Sequence, residues 1–79
     1  MTFDKSRVYT ALNADELNAG DKVVVADTLA DLKTCVNDGC FIKILDRVAG
    51  ENCQYRFVAG YEGQSVVCRF LLAYLVERA

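Results

Sequence analysis

The side chains with the most varied chemistry in this sequence are four cysteines, at positions 35, 40, 53 and 68. Thiolates bind zinc or form disulfides, and zinc sites usually contain C-x-x-C pairs or combine cysteine with histidine. This chain has no C-x-x-C pair and no histidine. We therefore expect the cysteines to be free and to act as small buried apolar residues, with no metal and no other cofactor. Zinc binding and a disulfide between Cys35 and Cys40 are the alternatives.

Paired carboxylates are the remaining candidates for acid–base catalysis, because histidine, the usual group near neutral pH, is absent. The pairs are Asp15 with Glu16 and Asp27 with Asp31. Both pairs lie on short capping segments at predicted helical turns, where carboxylates stabilise the N-terminal end of a helix. We assign them structural roles. The sequence thus predicts no catalytic residue and a protein that is not an enzyme.

Residues 60–63 have the G-x-x-G form of a loop that clamps the RNA backbone. That loop joins two helices and normally carries basic residues, whereas this segment carries Glu62 and lies between predicted strands. We interpret it as a turn.

The elements that position these residues can be predicted from local patterns in the first half of the chain. Residues 7–12 are rich in strand formers, and Asn13 can cap one helical turn before Gly20. Residues 22–26 are apolar on both faces, as in an interior strand. A helix should then begin at the Thr28 cap and end at Gly39, with an apolar stripe of Leu29, Leu32 and Val36.

The second half of the chain predicts strands over residues 41–48 and 53–59, joined by a hairpin loop over residues 49–52. Residues 65–76 fit a long bent strand, which we favour, or a C-terminal helix. The predicted fold is one α+β domain spanning residues 1–79. Its mostly antiparallel, curled sheet of about five strands resembles a small, partly open barrel and packs on one short helix.

Strict alternation along the last three strands predicts which side chains share a sheet face. One face, toward the helix, would carry Ile42, Ile44, Tyr55, Phe57, Phe70 and Leu72. The opposite face would form a basic patch of Lys43, Arg47, Arg56 and Arg69, with Gln54 and Tyr61 at its rim. We predict that these six polar residues bind a partner. Alternatively, the cations only keep the sheet face soluble.

Composition narrows the class of partner. Nine basic and eleven acidic residues give a net charge of −2 without a concentrated basic run, which counts mildly against a nucleic-acid binder. The longest apolar stretch, residues 70–76, is far short of the ~20 residues that span a bilayer, and no secretory signal is recognised. We expect a soluble cytoplasmic protein without membrane contact. The apolar fraction of 53% makes a homodimer possible.

The segments from Arg7 to Leu17, Gly20 to Val23 and Ala26 to Leu29, with the terminal residues 74–77, resemble a group of small uncharacterised proteins. Phages and mobile elements of gut bacteria carry that group. The resemblance implies a genomic setting in which small accessory proteins often block a host defence component, such as a CRISPR nuclease, or sequester a nucleotide signal.

The sequence as a whole predicts a non-enzymatic interaction module that binds a protein partner stoichiometrically. Inhibition of host defence is the role that the resemblance suggests for it. One alternative is a nucleic-acid or nucleotide binder that uses the cationic sheet face. Another is a structural homodimer built on the apolar C-terminal segment.

Overall fold

The computed structural model describes residues 1–51 and 54–79, apart from the side chains of Glu51, Gln54 and Tyr55. It confirms an α+β fold with one helix and an antiparallel sheet among those residues. The elements in chain order are β1 (Val8–Tyr9), β2 (Lys22–Ala26), α1 (Leu29–Asp38), β3 (Lys43–Glu51), β4 (Gln54–Gly60), β5 (Cys68–Phe70) and β6 (Leu72–Glu77). Short 3-10 turns cover Lys5–Arg7 and Ala14–Glu16.

Helix α1 begins and ends where its capping residues predict. The Thr28 hydroxyl accepts a hydrogen bond from the backbone N–H of Asp31 at 3.2 Å. At the other end Gly39 has a left-handed φ of 67° and its N–H donates to the Val36 carbonyl at 3.0 Å. Leu32 and Val36 are fully buried, but Leu29 is 54% exposed, so the predicted stripe contributes two core residues rather than three.

Strand β2 lies inside the sheet, between β6 and β3, as its apolar residues predict. Val23 and Val25 belong to one core cluster, and Val24 and Ala26 belong to another. Successive side chains of a strand point to opposite faces, so this one strand contributes to the core on both sides of the sheet.

The two strands at the C-terminus force the sheet to curl. Residues 68–77 form the favoured bent strand rather than a helix, and the bend at Leu71 divides it into β5 and β6. The sheet order β1-β6-β2-β3-β4-β5 places β5 four steps from β6, which would be ~19 Å in a flat sheet. One intervening residue spans at most ~7 Å. The sheet therefore rolls into an unclosed barrel, with the Leu71 N–H donating to Asp27 Oδ1 at 3.1 Å at the corner.

The curl creates two separate cores. The inner face buries Phe57 of β4 in the same cluster as Leu75 of β6, although these two strands are not paired. The outer face of β2 and β6 packs against α1 through Val24, Tyr74 and Leu32. Phe57 and Phe70 therefore lie inside the barrel, and the prediction that they face the helix was wrong.

Other predicted boundaries shift slightly. The first strand is reduced to Val8–Tyr9. Asn13 precedes the predicted helical turn, but its side chain accepts from the N–H of Thr10 at 2.8 Å instead of capping. Strand β3 continues through Ala49 and Gly50 to Glu51, so these residues are paired with β4 and not part of the predicted loop over residues 49–52, whose last residue, Asn52, lies outside the described residues.

Candidate interaction surface

The predicted basic patch is divided between two faces of the sheet. Arg47 pairs with Val58, and Val58 pairs in turn with Arg69, so these residues share one face. Arg56 lies on the same face, two residues before Val58. Lys43 pairs with Val23, whose side chain points into the barrel core. The prediction that Lys43 shares a face with the three arginines was wrong.

A β-bulge causes this division. The pairing between β3 and β4 shifts between Leu45 and Arg47, so Asp46 is an extra residue on β3. In an unbroken strand Lys43 and Arg47, four residues apart, would point the same way. The extra residue reverses the alternation.

The three arginines Arg47, Arg56 and Arg69 lie on one face of the sheet, which we call the arginine face. Val58, between Arg47 and Arg69, is only 1% exposed yet belongs to neither core cluster. The long aliphatic stem of an arginine can cover an apolar neighbour in this way. Arg47 also forms an ion pair with the adjacent Asp46, so the face is not free of acidic groups.

The two rim residues lie at opposite ends of β4. Gln54 pairs with Glu51 next to the hairpin loop, and its side chain is outside the described residues. Tyr61 follows Gly60 at the other end and lines a cavity of about 230 Å³ with Ile44 and Val67. The structure therefore does not bring the six predicted partner-binding residues into one site.

Lys43 is held between two aromatic rings. Its Nζ lies 4.5 Å from the centroid of Phe70 and 5.2 Å from the centroid of Tyr61. Both distances fit cation–π interactions. These contacts attach the loop after β4 to the start of β3 and fix the position of Tyr61.

Exposed apolar side chains occur in the chain segments next to Lys43 and Tyr61. Phe41 and Ile42, the two residues before Lys43, are 57% and 38% exposed. Val66 is 70% exposed, and its backbone lies against Gly60, where a Cβ would come within 2.4 Å of the Val66 carbonyl oxygen. We name this region the Phe41/Tyr61 surface, and it comprises Phe41, Ile42, Tyr61, Val66 and Val67.

Phe41 also has an unusual backbone. Its φ of 57° lies in the left-handed region, and no other non-glycine residue of the described chain has a positive φ. This conformation costs an aromatic residue roughly 1–3 kcal/mol, and such strain is concentrated at functional sites. Phe41, Ile42, Val66 and Val67 were not among the residues predicted to bind a partner. The available signal was a pair of large apolar residues directly after the helix stop at Gly39.

Two of the cysteines considered for chemistry, Cys40 and Cys68, are adjacent in the chain to Phe41 and Val67. Cys35 and Cys40 are partly buried, and both are free. Burial, together with the neighbouring Cys40, raises the pKa of the Cys35 thiol. Cys68 is free but exposed, so the prediction of a buried cysteine was wrong there, and Cys53 lies outside the described residues.

Two of the carboxylates considered for catalysis, Asp27 and Asp31, have structural roles. Asp27 accepts from the N–H of Leu71, and Asp31 lies in the first turn of α1. Within residues 1–51 and 54–79, no group of three or more potential metal ligands is found. The described part of the chain also contains no helix of the length and apolarity needed to cross a membrane.

Comparisons of the chain with protein families, with curated proteins and with solved structures gave no match.

Proposed function

We propose that this protein is a non-enzymatic binding module that holds a protein partner on its Phe41/Tyr61 surface. The observation that carries the proposal is Phe41, a large aromatic residue kept 57% exposed on a strained left-handed backbone. Exposure of an aromatic ring and backbone strain are both unfavourable, and a folded protein retains such strain mainly at positions where the side chain takes part in function. Clustered exposed apolar residues are typical of protein interaction sites.

The composition of the surface indicates the chemistry of the partner. Aromatic residues supply much of the binding energy in protein interfaces, and Phe41 and Tyr61 are suited to this role. Lys43, fixed beside Tyr61, and the exposed Glu62 place opposite charges at the rim. The partner should therefore present an apolar patch with polar groups around it. The resemblance to mobile-element proteins suggests a host protein, such as a defence component, as that partner.

Co-purification with a matched pair of variants tests the proposal. Phe41→Asn removes the ring but suits the left-handed backbone, because asparagine visits that region readily. Combined with Val66→Ser, it removes two exposed apolar side chains. Leu12→Ser is the control, since Leu12 is 96% exposed and lies outside the surface. A host protein recovered stoichiometrically with the wild type and with Leu12→Ser should be lost with the double variant.

Two results would contradict the proposal. One is an unchanged yield of the same host protein with the double variant, provided that its thermal midpoint equals that of the wild type. The other is a wild-type dimer in light scattering that becomes a monomer in the double variant, since the surface would then serve self-association.

A second candidate function uses the arginine face to bind nucleic acid or a nucleotide. It is favoured by the alignment of Arg47, Arg56 and Arg69 on one side of β3, β4 and β5. Phosphate binding weakens steeply as salt rises, whereas an apolar interface does not. Fluorescence anisotropy with a labelled oligonucleotide should then show strong salt dependence and weaker binding by Arg56→Gln. Salt-independent binding, or none, would exclude this candidate.

A further inference from the structure

A separate groove of about 480 Å³ lies on the helix side of the molecule, between the N-terminal segment, α1 and the start of β6. Its apolar wall consists of Phe3, Val8, Leu29 and Leu72. Lys5 and Lys33 also line it. Its volume falls within the range of roughly 300–1,000 Å³ that is typical of ligand sites.

Contacts of the N-terminal segment fix the position of Phe3 in the apolar wall of the groove. The N–H of Phe3 donates to Asn37 Oδ1 at 3.0 Å, and its ring stacks on Tyr74 with centroids 5.4 Å apart. The next residue, Asp4, donates its N–H to the Tyr74 hydroxyl at 3.0 Å. Tyr74 is buried, so this wall rests on a rigid part of the core.

Leu29 belongs to the same apolar wall and is more exposed than Phe3, Val8 or Leu72. It lies in the first turn of α1 but remains 54% exposed, while Leu32 and Val36 are buried. Lys33, one helical turn further on, lies on the same side of the helix as Leu29. The helix therefore presents an apolar side chain and a cation together to the groove.

The charge of the groove is opposite to that of the whole protein. Among the described residues its lining contains Lys5 and Lys33 and no carboxylate, although the chain has a net charge of −2. Neither lysine forms an ion pair with another described residue. Lys33 Nζ instead lies 6.0 Å from the Phe3 ring centroid, above the apolar wall. A bound anion would neutralise both cations without displacing an acidic side chain.

We infer that this groove binds an amphipathic anion, an acyl or alkyl chain that carries one carboxylate or phosphate head group. The apolar wall would cover the chain, and Lys5 and Lys33 would hold the head. An extended peptide suits the site less well, because its backbone N–H and C=O groups would need hydrogen-bond partners that these apolar side chains do not supply.

Titration with decanoate, decyl phosphate and decanol, followed by NMR of the Leu29 and Leu72 methyl groups, tests this site. Decanol has the same chain length without the charge. We expect the two anions to shift these methyl signals and to bind about tenfold more tightly than decanol. The tighter of the two anions identifies the head group.

Variants separate the charge effect from a change in folding. Lys5→Gln combined with Lys33→Gln should reduce the preference for the anions over decanol to about twofold or less. Lys22→Gln, which removes a lysine outside the groove, should retain the full preference. Equal binding of decanoate, decyl phosphate and decanol to the wild type would overturn the inference. So would methyl shifts confined to residues outside the groove, or no binding of either anion.

Discussion

The carboxylate of Asp21 accepts a hydrogen bond from the backbone N–H of Ala79 at 2.9 Å, which ties the last residue to the start of β2. Asp21 is 1% exposed and also accepts from the N–H of Asn18 at 3.0 Å. Arg78 lies 3.8 Å from the same carboxylate and donates to the Glu16 carbonyl at 2.9 Å. This buried acid therefore joins two segments that are distant in sequence, residues 16–21 and residues 78–79.

Replacing Asp21 with Asn should destabilise the fold by about 1–3 kcal/mol, because the two N–H groups bond to different carboxylate oxygens and one of them would then face the amide NH2 group. Chemical denaturation in urea measures the change. Asp15→Asn is the control, since Asp15 is exposed and its loss should change the free energy of unfolding by less than about 0.5 kcal/mol. Equal effects of the two substitutions would contradict the structural role of Asp21.

The stability of the protein should fall in acid through the same residue. Burial by itself raises the pKa of Asp21, but the hydrogen bonds from Asn18 and Ala79 and the charge of Arg78 outweigh it, so the pKa is lowered below its ordinary 3.8. The carboxylate's contribution is complete above that ordinary value and is lost as the pH falls through the lowered folded pKa. Urea unfolding at a series of pH values should show this loss. The pH dependence should be shallower in Asp21→Asn, and an unchanged profile would contradict the assignment.

Phe41→Gly should stabilise the isolated protein by about 1 kcal/mol. Glycine adopts the left-handed φ of 57° without the steric cost, and the exposed ring contributes little packing. For a domain of this size the thermal midpoint should rise by roughly 4–8 °C. Ile42→Gly is the control and should lower the midpoint, because Ile42 has no positive φ to relieve. A lower midpoint for Phe41→Gly would show that the left-handed backbone at Phe41 does not destabilise the protein.

Tyr74→Phe should loosen the N-terminal segment while leaving the sheet intact. The Tyr74 hydroxyl accepts from Asp4 N–H at 3.0 Å and donates to the Thr2 carbonyl at 3.4 Å, and both bonds would be lost. We expect a loss of about 1–2 kcal/mol and faster amide hydrogen exchange at Asp4. Exchange at Val24 in β2 is the internal reference. Unchanged exchange at Asp4 would show that the hydroxyl does not hold the segment.

The helix and the strands that are determined by residues close together in the sequence were predictable from the sequence. Thr28 and Gly39 define the ends of α1 because capping acts within one turn of the helix. Strand β2 was predictable because its run of apolar residues leaves no polar face. The α+β class and the curled, mostly antiparallel sheet followed from the order of these patterns.

Tertiary structure alone decided which side chains meet. The extra residue at Asp46 reverses the alternation along β3 and places Lys43 and Arg47 on opposite faces, and a bulge depends on how two strands pair. The break at Leu71 arises because β5 and β6 pair with different strands of a curled sheet. The left-handed Phe41 is likewise set by the connection between α1 and β3. Local patterns therefore determined the elements, while pairing between distant segments determined the surfaces on which function is proposed.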